Sequence, residues 1–213
     1  MSLQYSLIYN LNSPHFNDAM QIYRDSFPDN ERHPIDTIKQ RLQSGKQELY
    51  IGIDNENVVC IALLWYFDEL NFILLDYFAV TKECRGKRIG SEFFRYLSGI
   101  ATSKGKHLIM EVESPAGELN SAGKVKRINF YLNNGAYILK DIPYTLPSLN
   151  GTVPTEMILM VVPLNAKTTF SKKQVSNLIT HLYIELYSKT ENDTTLINLL
   201  HILPNQVELS KSL

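Results

Sequence analysis

A short run of glycine and basic residues stands between an apolar stretch, residues 71–80, and a helix-like stretch, residues 89–103. Backbone N–H groups in the first turn of a helix have no intrahelical acceptor, and the helix dipole places partial positive charge there. Glycine lets the backbone approach an anion closely. We therefore predict a phosphate-binding site formed by Arg85, Gly86, Lys87, Arg88, Ile89, Gly90 and Ser91.

The run does not match the two common nucleotide-binding motifs. It lacks the Gly-Lys-Ser/Thr ending of a P-loop and the three-glycine spacing of a dinucleotide-binding turn. Short connections also join the apolar stretches 48–53, 58–67 and 71–80. Connections of this length permit antiparallel hairpins and leave no room for the crossover helices of a Rossmann fold.

Four carboxylates are candidates for proton transfer or for binding a cationic substrate. Glu111 lies in the predicted strand 107–112, and Glu113 directly follows it. Because the two residues are two positions apart, their side chains share one face. Asp76 interrupts an apolar strand, where a carboxylate needs either a partner or a function. Glu31 lies between the first two predicted helices. For each of the four, a solvated or salt-bridged surface acid is the alternative interpretation.

Hydrophobic periodicity and turn residues predict the remaining elements. A first strand is expected over residues 4–9, and helices over 14–27 and 35–43. After the helix at 89–103 we expect a helix over 124–133 and strands over 136–139 and 156–162. Apolar residues recur at helical spacing again in 175–187 and around 196–203. We therefore predict a main domain, residues 1–163, and a helical C-terminal extension, residues 164–213, packed on it.

Composition narrows the class of protein. The formal net charge of −1 gives no reason to expect a nucleic-acid partner. The sequence has only two cysteines, Cys60 and Cys84, and does not resemble a small secreted domain held by several disulfide bonds. No apolar run reaches the length of a membrane span, and the N-terminus does not read as a signal peptide. A cytoplasmic location, no membrane partner and no metal are the expectations.

Two segments of the chain resemble the GNAT superfamily of N-acyltransferases. The family's pyrophosphate motif, Gln/Arg-x-x-Gly-x-Gly/Ala, fits Arg85 to Gly90, with Arg88 in the place of the central glycine. A second resemblance covers residues 127–136, where Arg127, Phe130 and Tyr131 match a segment of the family's late helix. The resemblance implies an α/β fold: a mixed, mostly antiparallel central sheet flanked by helices, here with the additional helical C-terminal segment.

The resemblance also implies a cofactor site and a reaction. Acetyl-CoA, with CoA as product, is the expected co-substrate. Its pyrophosphate would lie on the glycine loop, and its thioester would meet backbone N–H groups of Phe78, Ala79 and Val80. The reaction expected is acetyl transfer to a primary amine of an unidentified acceptor, either a small molecule or a peptide.

Tyr131 is the candidate general acid for the departing CoA thiolate, with packing in the core as the alternative. Glu111 and Glu113 are the candidate bases, and Glu31 and Asp76 are the candidate acceptor-binding residues. A non-catalytic acyl-CoA-binding module or an interaction module is the competing hypothesis, and a homodimer is left open.

Overall fold

The structure is a computed structural model that describes residues 3–116, 121–147 and 155–213. The chain forms two compact units. The first consists of Met1–Tyr66 and Ile73–Lys104, and the second of Phe67–Phe72 and Gly105–Leu213. Each unit contains strands, helices and buried side chains.

The first unit contains four strands that pair antiparallel. Its strands are β1 (Gln4–Leu7), β2 (Gln47–Asp54), β3 (Asn57–Tyr66) and β4 (Phe72–Val80), and they pair in this order. The loop from β2 to β3 has positive φ at Asn55 and Glu56, 47° and 66°. Positive φ at both central residues is the geometry of the tight hairpin turns that suit the twist of paired strands.

Helices α1 (Pro14–Ser26), α2 (Ile35–Gln43) and α3 (Ile89–Ser103) belong to the same unit. The Ser13 hydroxyl caps α1 by accepting a hydrogen bond from the Phe16 N–H at 3.2 Å. Gly45, at φ +76°, follows α2 in the left-handed conformation that ends many helices. The apolar face of α1 packs on β2, β3 and β4 in one buried cluster, with Phe16, Met20, Tyr23, Leu49, Leu63 and Tyr77 among its members.

Strand β4 contains a bulge opposite β3. Leu64 faces Leu75 and Leu63 faces Tyr77, so Asp76 has no opposing residue on β3. An extra residue in one strand interrupts the strict alternation of side chains between the two faces of a sheet. The one carboxylate within this apolar strand is therefore also its bulged residue.

The central strand of the second unit is β8 (Thr155–Val162). It pairs antiparallel with β5 (His107–Glu113), β6 (Tyr137–Leu139) and β7 (Tyr144–Leu146). Helix α4 (Ala122–Asn133) lies between β5 and β6 in the chain and ends before Gly135, at φ +99°. Two further strands, β9 (Thr169–Ser171) and β10 (Gln206–Ser210), extend the sheet because β10 pairs with both β6 and β9.

The C-terminal segment is part of this second unit. It forms helices α5 (Lys172–His181) and α6 (Thr194–Ile202), with a turn of π-helix, Leu182–Leu186, after α5. The Phe170 ring lies 5.6 Å from the Phe72 ring and 4.9 Å from the His107 ring. Nδ1 of His107 accepts the Leu164 N–H at 2.8 Å, and burial lowers the pKa of His107 to about 4. The neutral imidazole thus holds the start of the segment.

Most elements agree with the sequence predictions. The predicted helices 35–43 and 89–103 are confirmed with the same bounds, and 14–27 is confirmed to within one residue. The segment after Pro163 contains the predicted helices, but the description of it as helical was incomplete because it omitted β9 and β10. The division of the chain after residue 163 stays a prediction. Among the described residues, no helix has the length and hydrophobicity to cross a membrane.

Candidate active site

The glycine loop connects the end of β4 to the start of α3. A single 3-10 turn, Lys82–Cys84, leads into it, and the residues from Arg85 to Arg88 are exposed. Two of these adopt the left-handed conformation, Gly86 at φ +76° and Arg88 at φ +65°. The loop is therefore exposed up to Arg88, where the first turn of α3 begins.

Unpaired amides and positive charge meet at this turn. The first bond of the helix runs from the Glu92 N–H to the Arg88 carbonyl, so the N–H groups of Ile89, Gly90 and Ser91 have no acceptor within the helix. The Arg85 side chain donates from Nε to the carbonyl of Val80 at 3.1 Å, which fixes its charge beside the end of β4. Amides, helix dipole and guanidinium together suit a phosphate group.

Arg88 occupies the motif position where the family has its central glycine, and its backbone is left-handed. A non-glycine residue pays about 1 kcal/mol or more for this conformation, because its Cβ crowds the following carbonyl. The loop thus keeps the backbone path that glycine would give without having glycine there. The substitution in the motif changes the side chain and leaves the left-handed turn in place.

Helix α3 is fixed on the sheet by its apolar side. Ile89, Phe93 and Leu97 are buried, and the Phe78 ring stacks on the Phe93 ring at 5.7 Å. Ala79 is also buried. The Phe78 side chain therefore packs on α3 and that of Ala79 in the cluster with α1, so the predicted role of these two residues in cofactor binding falls to their backbone groups.

Asp76 lies in the β4 bulge with two polar neighbours. Its Oδ2 accepts a hydrogen bond from Nε2 of Gln47 at 2.7 Å, and Nη1 of Arg41 lies 3.8 Å from the same oxygen. Burial raises the pKa of Asp76 to about 6, against the lowering effects of Arg41 and Gln47. A carboxylate with this pKa is mostly ionised at pH 7 and readily takes up a proton.

Glu31 lies in the connection between α1 and α2, which β4 anchors. The Tyr77 hydroxyl donates to the Glu31 carbonyl oxygen at 3.1 Å, and the Tyr23 hydroxyl accepts the His33 N–H at 2.9 Å. The loop that carries Glu31 is therefore bound to the strand that carries Asp76. The first unit thus contains the glycine loop, most of β4 with Asp76, and the Glu31 loop.

Tyr131 lies on α4 in the second unit, with 7% of its surface exposed. Its ring contacts the Phe130 ring at 5.2 Å in an edge-to-face arrangement. Burial raises the pKa of Tyr131 to about 12, although nearby Arg127 acts in the opposite direction. The phenol therefore stays protonated across the range in which enzymes work.

Glu111 binds two tyrosine hydroxyls, neither of which was predicted from the sequence. The hydroxyl of Tyr144 donates to Oε1 of Glu111, and the hydroxyl of Tyr187 donates to Oε2 at 2.6 Å. Tyr187 follows the π-helical turn of the C-terminal segment, and nothing in its sequence context indicated a partner 76 residues away. The carboxylate is thus held by two different parts of the second unit.

Glu113 lies among positive charges of α4. Its Oε2 lies 3.9 Å from Nζ of Lys124 and 3.8 Å from Nη1 of Arg127. Although Glu111 and Glu113 share a face of β5, the structure gives them separate partners. Within the described ranges, no group of acidic, histidine and cysteine side chains could hold a metal ion. Both cysteines are free thiols.

Comparison with known protein families identifies the class of this protein. The sequence model of the acetyltransferase (GNAT) family matches residues 16–123, which is just over half of the chain. The match spans both the glycine loop and the β4 bulge. The chain belongs to the GNAT family of acetyltransferases. No curated protein sequence matches it.

Solved structures show the same fold. A protein of Bacteroides thetaiotaomicron described as belonging to the GNAT family has a TM-score of 0.74 at 22% identity, covering 88% of this chain and 99% of its own. A GNAT family acetyltransferase of Elizabethkingia anophelis with acetyl-CoA bound has a TM-score of 0.53 at 18% identity, covering 76% of this chain and 98% of its own. A Bacillus subtilis acetyltransferase in complex with CoA has a TM-score of 0.52 at 13% identity, covering 76% of this chain and 99% of its own.

The protein is accordingly an acyltransferase with a largely antiparallel sheet flanked by helices, and acetyl-CoA is its co-substrate. The loop residues fit that molecule, because exposed cations and unpaired amides are gathered at the start of α3. The particular residues that bind acetyl-CoA remain the sequence-based prediction made above.

The first prediction concerns Gly90, whose backbone is expected to approach the pyrophosphate. Replacing Gly90 with Val should weaken CoA binding about ten-fold or more, because a branched side chain displaces the anion from charge-assisted hydrogen bonds. Gly99→Val is the control: it lies in the same helix, and a Cβ at Gly99 would meet nothing within 4 Å. Calorimetry with CoA measures both, and equal affinities in the two folded variants would contradict the predicted cradle.

The second prediction concerns the left-handed backbone of Arg88. We expect Arg88→Gly to be more stable than Arg88→Ala by about 0.5–1 kcal/mol, since glycine relieves the steric cost and alanine keeps it. Both variants lack the guanidinium, so the comparison isolates the backbone. Urea unfolding of the two proteins measures the difference. An alanine variant as stable as the glycine variant would show that residue 88 is not left-handed in solution.

Proposed function

We propose that the enzyme is an N-acetyltransferase that transfers the acetyl group of acetyl-CoA to a primary amine of a small molecule or peptide. The observation that carries this proposal is Asp76, a carboxylate buried in the bulge of β4 with a pKa of about 6. A negative charge at that position attracts an ammonium group, and its pKa suits a proton acceptor near neutral pH.

Asp76 is also close in the chain to the backbone expected to hold the thioester. Two residues of a strand span about 7 Å, so an amine bound at Asp76 lies within reach of a carbonyl held at Phe78. Holding the two reactants in contact supplies much of the rate in a direct transfer. The N–H groups of residues 78–80 are proposed to stabilise the negative charge that develops on the carbonyl oxygen.

The proposed reaction balances with three proton transfers. The acceptor's ammonium first gives one proton to Asp76, which passes it to solvent, and the neutral amine nitrogen then forms a bond to the acetyl carbon and loses its second proton to Asp76. The carbon–sulfur bond breaks, and the CoA sulfur takes a proton from the Tyr131 hydroxyl. Solvent then restores the proton of Tyr131 and accepts the proton held by Asp76. A pKa of about 12 keeps the phenol protonated and also makes Tyr131 a weaker acid than an ordinary tyrosine, so this assignment rests on the resemblance to the family's late helix.

Glu111, Glu113 and Glu31 have secondary roles in this proposal. Glu111 binds the hydroxyls of Tyr144 and Tyr187, and Glu113 lies beside Lys124 and Arg127. Both carboxylates thus have partners of their own in the second unit, and this proposal gives the role of base to Asp76. Glu31, on a loop tied to β4, is proposed to contribute to acceptor binding.

A non-catalytic acyl-CoA-binding module is the second candidate. It would need the glycine loop but no buried carboxylate in the β4 bulge, since burying an acid is unfavourable without a compensating role. Turnover distinguishes the two candidates: release of CoA that depends on an added amine occurs only in the enzyme.

The third prediction tests Asp76. With an amine that supports CoA release, kcat/KM should rise with pH through about 6, because the base must be unprotonated. Asp76→Asn should lose this acid limb and about 100-fold or more in kcat/KM. Asp36→Asn, at the first turn of α2, is the control and should keep both the acid limb and the wild-type kcat/KM. An unchanged acid limb in Asp76→Asn would assign the proton transfer to another group.

The fourth prediction tests Tyr131. Tyr131→Phe keeps the ring and removes the hydroxyl, so kcat should fall about ten-fold to a thousand-fold while the affinity for acetyl-CoA stays nearly the same. Tyr137→Phe removes a hydroxyl from β6 and serves as the control. Steady-state kinetics together with calorimetry on acetyl-CoA measures both constants. A variant with wild-type kcat would leave Tyr131 as a packing residue only.

A further inference from the structure

A compact polar cluster lies in the first unit where α2 covers strands β2 to β4. It consists of Arg41 from α2, Gln47 from β2, Trp65 from β3 and Asp76 from β4. Gln47 and Trp65 are opposite each other across the strands, and Gln47 donates to Asp76. The guanidinium carbon of Arg41 lies 5.0 Å from the centre of the Trp65 ring, over its face. Four polar side chains therefore meet at one place next to the candidate base.

Three atoms of this cluster are buried and have no hydrogen-bond partner among the described residues. They are Nη1 of Arg41, Oε1 of Gln47 and Nε1 of Trp65. Gln47 and Trp65 are only 1% and 5% exposed. A buried polar atom without a partner costs free energy, and native proteins satisfy nearly all such atoms. Three of them side by side indicate a bound molecule that completes their hydrogen bonds.

The missing partner is defined by the three atoms and by Asp76. Arg41 and Trp65 offer N–H donors, one of them charged, and so need an acceptor that is preferably anionic. Gln47 offers an unpartnered carbonyl oxygen, which needs a donor, and the negative charge of Asp76 beside it favours a cationic one. Nη1 of Arg41 lies 3.8 Å from Oδ2 of Asp76, so the anionic and cationic parts of the ligand must be adjacent.

We propose that this cluster binds the head group of a free α-amino acid, with its carboxylate at Arg41 and Trp65 and its ammonium at Asp76 and Gln47. The inference rests on the proposed function, because it places the reacting amine at Asp76. It narrows the acceptor to molecules that carry a carboxylate beside the amine. Peptides and simple alkylamines lack that carboxylate and leave Arg41 and Trp65 without a partner.

Such a site selects strongly between close analogues. A site built to hydrogen-bond a substrate rejects a molecule that leaves its buried polar groups unpaired. The relevant pair of probes is an amino acid and its α-amide, which has the same size and the same α-amine but no negative charge. The two should differ in kcat/KM, and the difference should depend on Arg41.

The experiment measures CoA release for a set of amino acids and for the corresponding α-amides. We expect the wild-type enzyme to prefer the acid of at least one pair, and Arg41→Met to reduce that preference about 30- to 100-fold. Trp65→Phe should reduce it by a smaller factor, because one neutral donor is lost. Changes that affect both substrates equally, such as an altered pKa of Asp76 in the free enzyme, cancel in the ratio of the two kcat/KM values. Lys39→Met, another cation of α2, should leave the preference unchanged.

Three results separate this inference from the function on which it rests. Amides acetylated as well as acids, or a preference that survives Arg41→Met, would overturn the amino-acid site and leave the N-acetyltransferase standing. A cluster occupied by water alone would give that same result. If no amine supports turnover, the proposed function fails. Calorimetry then decides the site, because amino acids should bind the CoA-loaded wild-type protein and not the Arg41→Met variant.

Discussion

Strand β4 has one residue more than β3 between Leu75 and Tyr77, and the chemistry of the first unit depends on that insertion. In a regular strand, adjacent side chains point to opposite faces. Here Asp76 contacts Arg41 of α2, while its neighbour Tyr77 belongs to the core cluster with α1. The bulge allows both side chains to face the same helical layer. A carboxylate thus enters a region that an unbroken strand would fill with apolar groups.

The residue after the bulge fixes the connection between the first two helices. The Tyr77 ring lies edge-on to the Tyr23 ring at 4.8 Å, and their hydroxyls bind the backbone of Glu31 and His33. Burial raises the pKa of Tyr77 and of Tyr23, so these hydrogen bonds persist over the whole working pH range. One strand therefore positions the candidate base and, through Tyr77, the loop proposed to contact the acceptor.

Local signals explain what could be predicted from the sequence. Gly45 and Gly105 follow the two helices whose bounds were predicted correctly. The basic glycine loop can be recognised from its composition and from its place between a strand and a helix. The family and the co-substrate follow from that loop and from the segment that contains Tyr131.

Contacts that join distant parts of the chain could not be predicted in this way. Strand β9 has three residues, too few to show an alternating pattern, and it forms because β10 pairs with it. The bond from Tyr187 to Glu111 spans 76 positions. Asp76 stood out as an acid in an apolar strand, but its bulge, its pKa and its neighbours Arg41 and Gln47 depend on strand register and helix packing. The chemistry of a residue type is local, whereas its environment is not.

The environment of Asp76 also links acceptor binding to proton transfer. Burial raises the pKa of this carboxyl, whereas Arg41 and the hydrogen bond from Gln47 lower it, and the balance lies near 6. Without Arg41 the acid would bind its proton more tightly and be less ionised at neutral pH. In the proposed complex, the acceptor's carboxylate pairs with Arg41 and offsets part of its charge. The acceptor's ammonium beside Asp76 acts in the opposite direction and favours the ionised carboxylate. The two charges of the bound amino acid therefore offset each other around Asp76, and Arg41 serves recognition in the complex while it keeps the acid ionised in the free enzyme.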